Sequence, residues 1–481
     1  MSSYTPEEPI AAIATALAPS ALAVIRTSGK GCIDLVSHVF SRPEALKKAA
    51  GYTLLHGWIV DPDAGEKQVP ARIDEVMLSV YRAPKSFTGE DMVEISCHGG
   101  TAPVMAVYRL LLKNGFRPAE RGEFSFRAYV NGKTDLTRAE AIREIIDSRT
   151  DESRSRAAGR LSGALFDELA RVKGLLIRTT ASIEAEIEYP EDEETIADAF
   201  DPAELIEARD ALARLADTWV GEKLYQDGVR IVLCGRTNAG KSSLFNLLLK
   251  EERAIVSDIE GTTRDFIESW VSFGGIPARL FDTAGLRQSD DVIEQSGVER
   301  SLDLAGEADI VLYLADATVG MLPEDIANIT LLAQDKNRIV LVWNKCDVIN
   351  DSTSFSLSAD DAFETGFPEL ARENQVHISA KTGKGITDLI DAVHDMLLHQ
   401  VSSSRQQAGL GSARQKASVD EALDSLNHAL CVIAPDSDTG LGLDAVVQDI
   451  EDALDALAEI TGETSPDDIL ENIFARFCVG K

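Results

Sequence analysis

Eight residues, "GRTNAGKS" from Gly235 to Ser242, fit the spacing GxxxxGK[ST] and lie between an apolar run, "VRIVLC", and a helix-like run, "SLFNLLLK". Strand, loop and helix in that order form the context in which this spacing cradles phosphates. The glycines let backbone N–H groups turn onto phosphate oxygens, Lys241 brings point charge to the outer phosphates, and Ser242 is a magnesium ligand. "DTAG", Asp282 to Gly285, follows "ARLF" and suits a second magnesium contact with a γ-phosphate-sensing amide at Gly285. "NKCD", Asn344 to Asp347, follows "RIVLVW"; a carboxylate at Asp347 accepts two hydrogen bonds from the edge of guanine and cannot do so from adenine, which selects GTP. "SAK", Ser379 to Lys381, follows "VHI" and offers a backbone amide to the guanine carbonyl. "GTTRD", 261 to 265, falls where a first switch belongs, and Thr263 can complete the magnesium shell. DTAG or SAK alone means little, but this order, each after an apolar run, marks a GTPase of the translation-factor-like class.

Leu286 follows DTAG, so the glutamine that orients water in Ras-like enzymes is missing and another group must place the water. Asn238 inside the loop has two readings: its side-chain oxygen holds a monovalent cation beside the phosphates, or it is simply a turn residue. The terminal "FCVGK" places Cys478 four residues from the end, yet Gly480 and Lys481 break a prenylation signal. Cys32, Cys97, Cys234, Cys346, Cys431 and Cys478 have no CxxC spacing, which supports neither a zinc site nor a disulfide framework.

The elements that must position these residues divide by texture. A chain of 481 residues suggests roughly three domains. Residues 1 to about 128 mix short β-like and helical runs, as a compact α/β or α+β domain does. From "LTRAEAIREIIDSRT" to "LIRTTASIEAEIEYP" apolar residues recur at three and four, the mark of long amphipathic helices stopped by Tyr189-Pro190. "EDEETIADAFDPAELIEARD" reads as a solvated acidic helix and its approach. Residues 228 to 398 alternate strand-like and helix-like runs, as in a doubly wound α/β domain. "VSSSRQQAGLGSARQKAS" reads as a polar linker, and helical runs fill the tail. Neither helical block has a complete core, so one discontinuous helical domain (129–227 and 399–481) with the α/β domain inserted is expected. With 80 acidic against 47 basic side chains, the formal charge of −33 opposes non-specific binding to phosphate backbones. The N-terminus lacks the basic start of a signal peptide and no run of about 18 apolar residues occurs. A cytoplasmic protein without a membrane span is expected.

Together these features resemble the MnmE (TrmE) family of tRNA-modification GTPases along the whole chain. Its distinctive pieces stand as "SFTGEDMVEISCHGG" (86–100), "RGEFSFRAYVNGKTDLTRAEAI" (121–142), "GRTNAGKSSLFN" (235–246), "AIVSDIEGTTRD" (254–265), "DTAGLR" (282–287) and "FCVGK". The resemblance implies an N-terminal folate-binding domain that dimerises (1–128), the discontinuous helical domain, and an inserted Ras-like G domain. It implies folate contacts at Arg26, Glu94 and Lys133, with Lys481 reaching the same pocket and Cys478 beside it as a candidate catalytic thiol. GTP contacts are implied at Asn238, Ala239, Gly240, Lys241, Ser242 and Ser243; at Ser257, Asp258, Ile259, Glu260, Gly261, Thr262 and Thr263; at Asp282, Thr283, Ala284 and Gly285; and at Asn344, Lys345, Asp347, Ser379, Ala380 and Lys381. Potassium falls on Asn238, Ser257, Ile259 and Thr262, magnesium on Ser242 and Thr263, and water positioning on Glu294, where an exposed helix glutamate is the commoner meaning. Thr237 and Arg121 stand where many relatives have proline, and Ser257 replaces a threonine. No ligand type is lost.

The implied activity, shared with the FAD-dependent partner MnmG (GidA) in a heterotetramer, installs an aminomethyl or carboxymethylaminomethyl group on carbon 5 of the wobble uridine of certain tRNAs. A methylene-tetrahydrofolate, or its 5-formyl analogue as ligand, completes the cofactor set, and tRNA is met mostly through the partner. "LTRAEAIREIIDSRTDESRSRAAGR" sets six arginines against five acids, a local relief in the negative field that helix salt pairs explain equally well. The rival is a ribosome-assembly GTPase acting as an RNA-binding switch, for which neither flank offers a basic module. A folate-dependent transferase with a passive nucleotide domain is a second.

Overall fold

The computed structural model describes residues 8–64, 71–188, 202–251, 267–282, 306–334, 338–349, 374–398, 408–434 and 442–481. They fall into two units, Met1–Arg143 with Cys431–Lys481, and Glu144–Leu430.

In the first unit, alternation of apolar and polar residues builds a six-stranded sheet: β1 (Ile10–Ile13), β2 (Ser20–Ser28), β3 (Thr53–Asp61), β4 (Ala71–Tyr81), β5 (Met92–Gly99) and β6 (Arg117–Pro118). Their order is β3-β4-β5-β2-β1-β6, antiparallel except where β1 runs parallel to β6. Side chains on a strand point to alternate faces. Ile25, Val76, Leu78, Val80 and Ile95 accordingly go to the core, under the helices Cys32–His38 and Thr101–Lys113. Arg26 and Glu94, register partners across β2 and β5, go to the other face.

The tail returns to this unit. Helix Leu443–Thr461 buries Val446, Ile450, Ala453, Leu457 and Ile460, a stripe at spacings of four and three. After the helix Asp467–Phe474, the rings of Phe474 and Phe477 pack with Leu136 and Ala139, beside Phe126 and Tyr129.

The second unit joins helices Asp151–Ser162, Ala164–Glu188 and Ala203–Asp227 to a second six-stranded sheet. Its strands are β7 (Val229–Gly235), β8 (Ile267–Phe273), β9 (Ile276–Asp282), β10 (Ile310–Asp316), β11 (Arg338–Asn344) and β12 (Gln375–His377), in the order β12-β11-β10-β7-β9-β8. All pairs are parallel except β8–β9. A parallel sheet is covered on both faces, which is why β7, β10 and β11 read as unbroken apolar runs. Every residue of β10 is buried.

The reading of 401–418 as a linker is corrected over its last part, because helix Ala413–Val432 begins inside it. Leu410 and Gln415 are fully buried, and the Gln415 side-chain oxygen accepts the Gly411 N–H at 2.7 Å. Ser412 Oγ in turn accepts the Gln415 N–H at 3.3 Å, so the polar residues around the helix start satisfy one another although their types read as loop. This segment meets the earlier helical block: Leu410 N–H donates to Thr218 Oγ1 at 3.2 Å.

Candidate functional site

The strand order sets the carboxyl ends of β7, β10, β11 and β12 side by side, the place where open α/β sheets bind ligands. Gly235 ends β7 with φ 128°, and a Cβ there would strike the Leu314 carbonyl on β10. The loop therefore leaves the sheet in a conformation only glycine adopts readily. Asn238 has φ 65°, the left-handed region that Asn tolerates best among side-chain-bearing residues, and is exposed. The Lys241 ammonium is held by the carbonyls of Gly235 (2.7 Å) and Arg236 (2.9 Å). Ser242 and Ser243 lie exposed in the first turn of helix Lys241–Glu251.

Asn344, 2% exposed, locks two loops together: its Nδ2 donates to the Ala239 carbonyl at 2.8 Å and its Oδ1 accepts the Ala380 N–H at 2.9 Å. Ser379 Oγ donates to Asp347 Oδ1 at 2.7 Å, so the candidate base reader is fixed by the loop that carries SAK. Lys345, at φ 68°, donates to Asp316 Oδ2 at 2.6 Å. Burial raises the Asp316 carboxyl, but hydrogen bonds from Lys345 and Thr318 outweigh it and hold the group below the usual carboxylate range. Lys381 is exposed. Asp282 closes β9 through its backbone register with Ile267 and Leu233. Ser257, Asp258, Ile259, Glu260, Gly261, Thr262, Thr263, Thr283, Ala284, Gly285 and Glu294 lie outside the described residues.

A second constellation forms on the outer face of the first sheet. Arg26 pairs with Glu94 (Nε–Oε1 2.9 Å, Nη2–Oε1 2.7 Å), and Tyr81 OH reaches Glu94 Oε2 at 3.4 Å. Arg26 Nη1 also donates to the Gly480 carbonyl at 3.1 Å, and its guanidinium stands 5.3 Å from the Phe87 ring. Val479 bridges Arg121, and Gly122 N–H donates to the Cys478 carbonyl at 3.5 Å. The chain end is thus docked through its backbone, with Cys478 exposed. Burial, then the neighbouring Arg26, lowers the Lys481 ammonium below its ordinary range, which Cys478 opposes in part. Lys133 Nζ donates to the Pro84 carbonyl at 3.1 Å, on the loop between β4 and β5. Burial pushes the Cys32 and Cys234 thiols up to about 12 and Cys97 up to about 11.

Sequence reasoning missed Tyr81 and Asp316. Asp316 had a signal, an acid ending the apolar run "IVLYLAD" at the carboxyl end of a strand. Among the described residues no cluster of metal-ligating side chains occurs and no helix is long and apolar enough to cross a membrane.

A glycine-rich loop after the central strand of a doubly wound sheet, latched by Asn344 to two guanine-site loops, defines a P-loop GTPase. The family model described as "MnmE helical domain" matches residues 136–478, and the one described as "GTP-binding protein TrmE N-terminus" matches residues 9–133. The tRNA modification GTPase MnmE of Treponema denticola is 49% identical over 488 residues, covering 99% of each chain. The protein of that name from Carboxydothermus hydrogenoformans is 38% identical over 480 residues, covering 99% of this chain and 100% of its own. The chain belongs to the MnmE family of tRNA modification GTPases.

Proposed function

We propose that the chain couples GTP hydrolysis to installing a carboxymethylaminomethyl or aminomethyl group on carbon 5 of the wobble uridine of certain tRNAs. It acts with an FAD-dependent MnmG partner as a heterotetramer in the cytoplasm. The observation that carries the reading is the docked tail, where Gly480 is tied to the Arg26–Glu94 pair and the last residues lie on the outer face of the sheet.

That face suits a tetrahydrofolate. Glu94 is an acceptor for the N–H edge of a pterin, and Arg26, Lys133 and the partly desolvated Lys481 supply cationic charge for an anionic ligand. A bound methylene-tetrahydrofolate supplies a one-carbon unit. Cys478, exposed near Lys481, is a group of this chain able to act there as nucleophile or proton acceptor.

At the GTP site Lys241 and Ser242 serve the phosphates and magnesium, the latter with Thr263. Asn238 serves potassium with Ser257, Ile259 and Thr262, and Glu294 places the water. The exposed Asn238 in the loop and Leu286 after DTAG support the potassium reading. Homodimerisation through the first unit is supported by Leu22, Leu54 and Met77, apolar side chains 65%, 65% and 40% exposed on β2, β3 and β4. The proposed domain limits are 1–128, 129–227, 228–398 and 399–481.

Nucleoside mass spectrometry of bulk tRNA tests the reading. A strain lacking the chain should lose C5-substituted wobble uridines and regain them on complementation; an unchanged profile would overturn it.

A further inference from the structure

Arg236, the second residue of the phosphate-binding loop, takes no part in the site described so far except through its backbone. Its carbonyl receives the Lys241 ammonium at 2.9 Å and the Ala239 N–H at 3.3 Å, so this residue sets both the lysine and the first turn of the loop. Its side chain points elsewhere. The Arg236 guanidinium meets Asp325, with Nε 3.2 Å from Oδ1 and 3.0 Å from Oδ2. Asp325 is fully buried in the first turn of helix Pro323–Gln334. The same carboxylate accepts Tyr313 OH at 2.9 Å from β10 and the Leu322 N–H at 3.0 Å.

A carboxylate removed from water is costly unless its lone pairs are filled, and here three donors from three elements fill them. Such a group has little freedom to move, because each displacement leaves a buried acceptor short of a donor. We propose that Asp325 is a positioning residue for GTP binding, acting through Arg236 to hold the entry of the phosphate-binding loop. The loop is then pinned at three points: Gly235 against Leu314, Arg236 on Asp325, and Ala239 on Asn344. Among the described residues the Asp325 carboxylate bonds Arg236, Tyr313 and Leu322, none of them a candidate phosphate contact. Its effect reaches the ligand through the Arg236 backbone.

This inference rests on the 235–242 loop being the phosphate cradle, and the test separates the two. Loss of loop positioning weakens ground state and transition state together, which raises KM without lowering kcat. A merely structural role would lower the active fraction and hence the apparent kcat, leaving KM in place. In the full-length protein, Asp325→Asn and Arg236→Gln should each raise the KM for GTP and the Kd of a fluorescent GDP analogue about tenfold. Saturated turnover should stay within about threefold of wild type, and the double variant should be no worse than either single one. Arg236 is partly exposed, so Arg236→Gln decides the matter if Asp325→Asn fails to fold. Nucleotide affinity within twofold of wild type in Arg236→Gln, or additive losses in the double variant, would overturn the proposal. Lys241→Ala is the control: if it too keeps GTP affinity, the cradle assignment itself fails.

Discussion

The GTP site of the second unit and the tail site of the first are built in opposite ways. The former gathers loops from the carboxyl ends of parallel strands, tied together by polar side chains: Asn344 bonds the Ala239 and Ala380 backbones, Ser379 holds Asp347, Asp316 holds Lys345. At the latter, a cross-strand pair on the sheet face opposite the main core is met by the last residues of the chain. Those residues are held by backbone contacts to Arg26, Arg121 and Gly122 and by the buried rings of Phe474 and Phe477. Where side chains interlock, a substitution disturbs neighbours; where the tail is held by its main chain and by the rings of Phe474 and Phe477, an exposed side chain such as Cys478 can change without loss of place. The two sites should therefore respond differently to mutation.

Lys241→Ala should give the largest effect, a fall in GTP hydrolysis of about 10²–10³, since it removes a fixed charge from the phosphates. Phosphate release at saturating GTP measures it, and a loss under tenfold would break the account of the loop. Next, Asp347→Asn should cost about 3 kcal/mol of GTP affinity, roughly a hundredfold, through two charge-assisted hydrogen bonds, and shift preference to xanthine nucleotides. Unchanged GTP affinity would remove Asp347 as base reader.

At the tail, Arg26→Met removes the Glu94 pair and the Gly480 contact and should weaken binding of 5-formyl-tetrahydrofolate about tenfold, consistent with about 1–2 kcal/mol for such bonds. Isothermal titration reads this, and GTP affinity should not change. A parallel loss of GTP affinity would contradict the independence of the sites.

The smallest effect is in pH dependence. Asp316 has a folded pKa below its unfolded one, so its stabilisation is complete above the ordinary range near ~3.9 and is lost as pH falls through the folded value. Lys481 is depressed too but is a base. Between its folded and unfolded pKa the unfolded chain binds more protons, so its contribution rises with pH on the alkaline side. Asp316→Asn should flatten the acid limb of thermal stability by about 1 kcal/mol or less, and Lys481→Met the alkaline limb; exchanged limbs would show that the assignments are wrong.

The same contrast governs what could be read from sequence. GRTNAGKS, NKCD and SAK are contiguous because each follows a single strand, β7, β11 and β12 in turn, so their chemistry shows in a few adjacent letters. Arg26, Glu94 and the end of the tail meet only through the pairing of β2 with β5 and the return of the tail, which no local pattern encodes; family resemblance alone suggested grouping them, with Lys133 added, and Lys133 is seen bonded to the Pro84 carbonyl. The helix that starts at Ala413 was hidden for a third reason. Its start is polar because Ser412 and Gln415 bond the backbone there, Ser412 Oγ accepting the Gln415 N–H and Gln415 the Gly411 N–H, and polarity at a helix start looks like linker.

The central claim is that one chain holds two separable sites, one for GTP and one for the uridine chemistry. Cys478→Ser tests it most directly, because serine is nearly the shape of cysteine and far less reactive. The variant, supplied to a strain lacking the native chain, should hydrolyse GTP at close to the wild-type rate while its tRNA shows no C5-substituted wobble uridine. Normal levels of modified uridine in that tRNA would contradict the account and reduce "FCVGK" to an anchor.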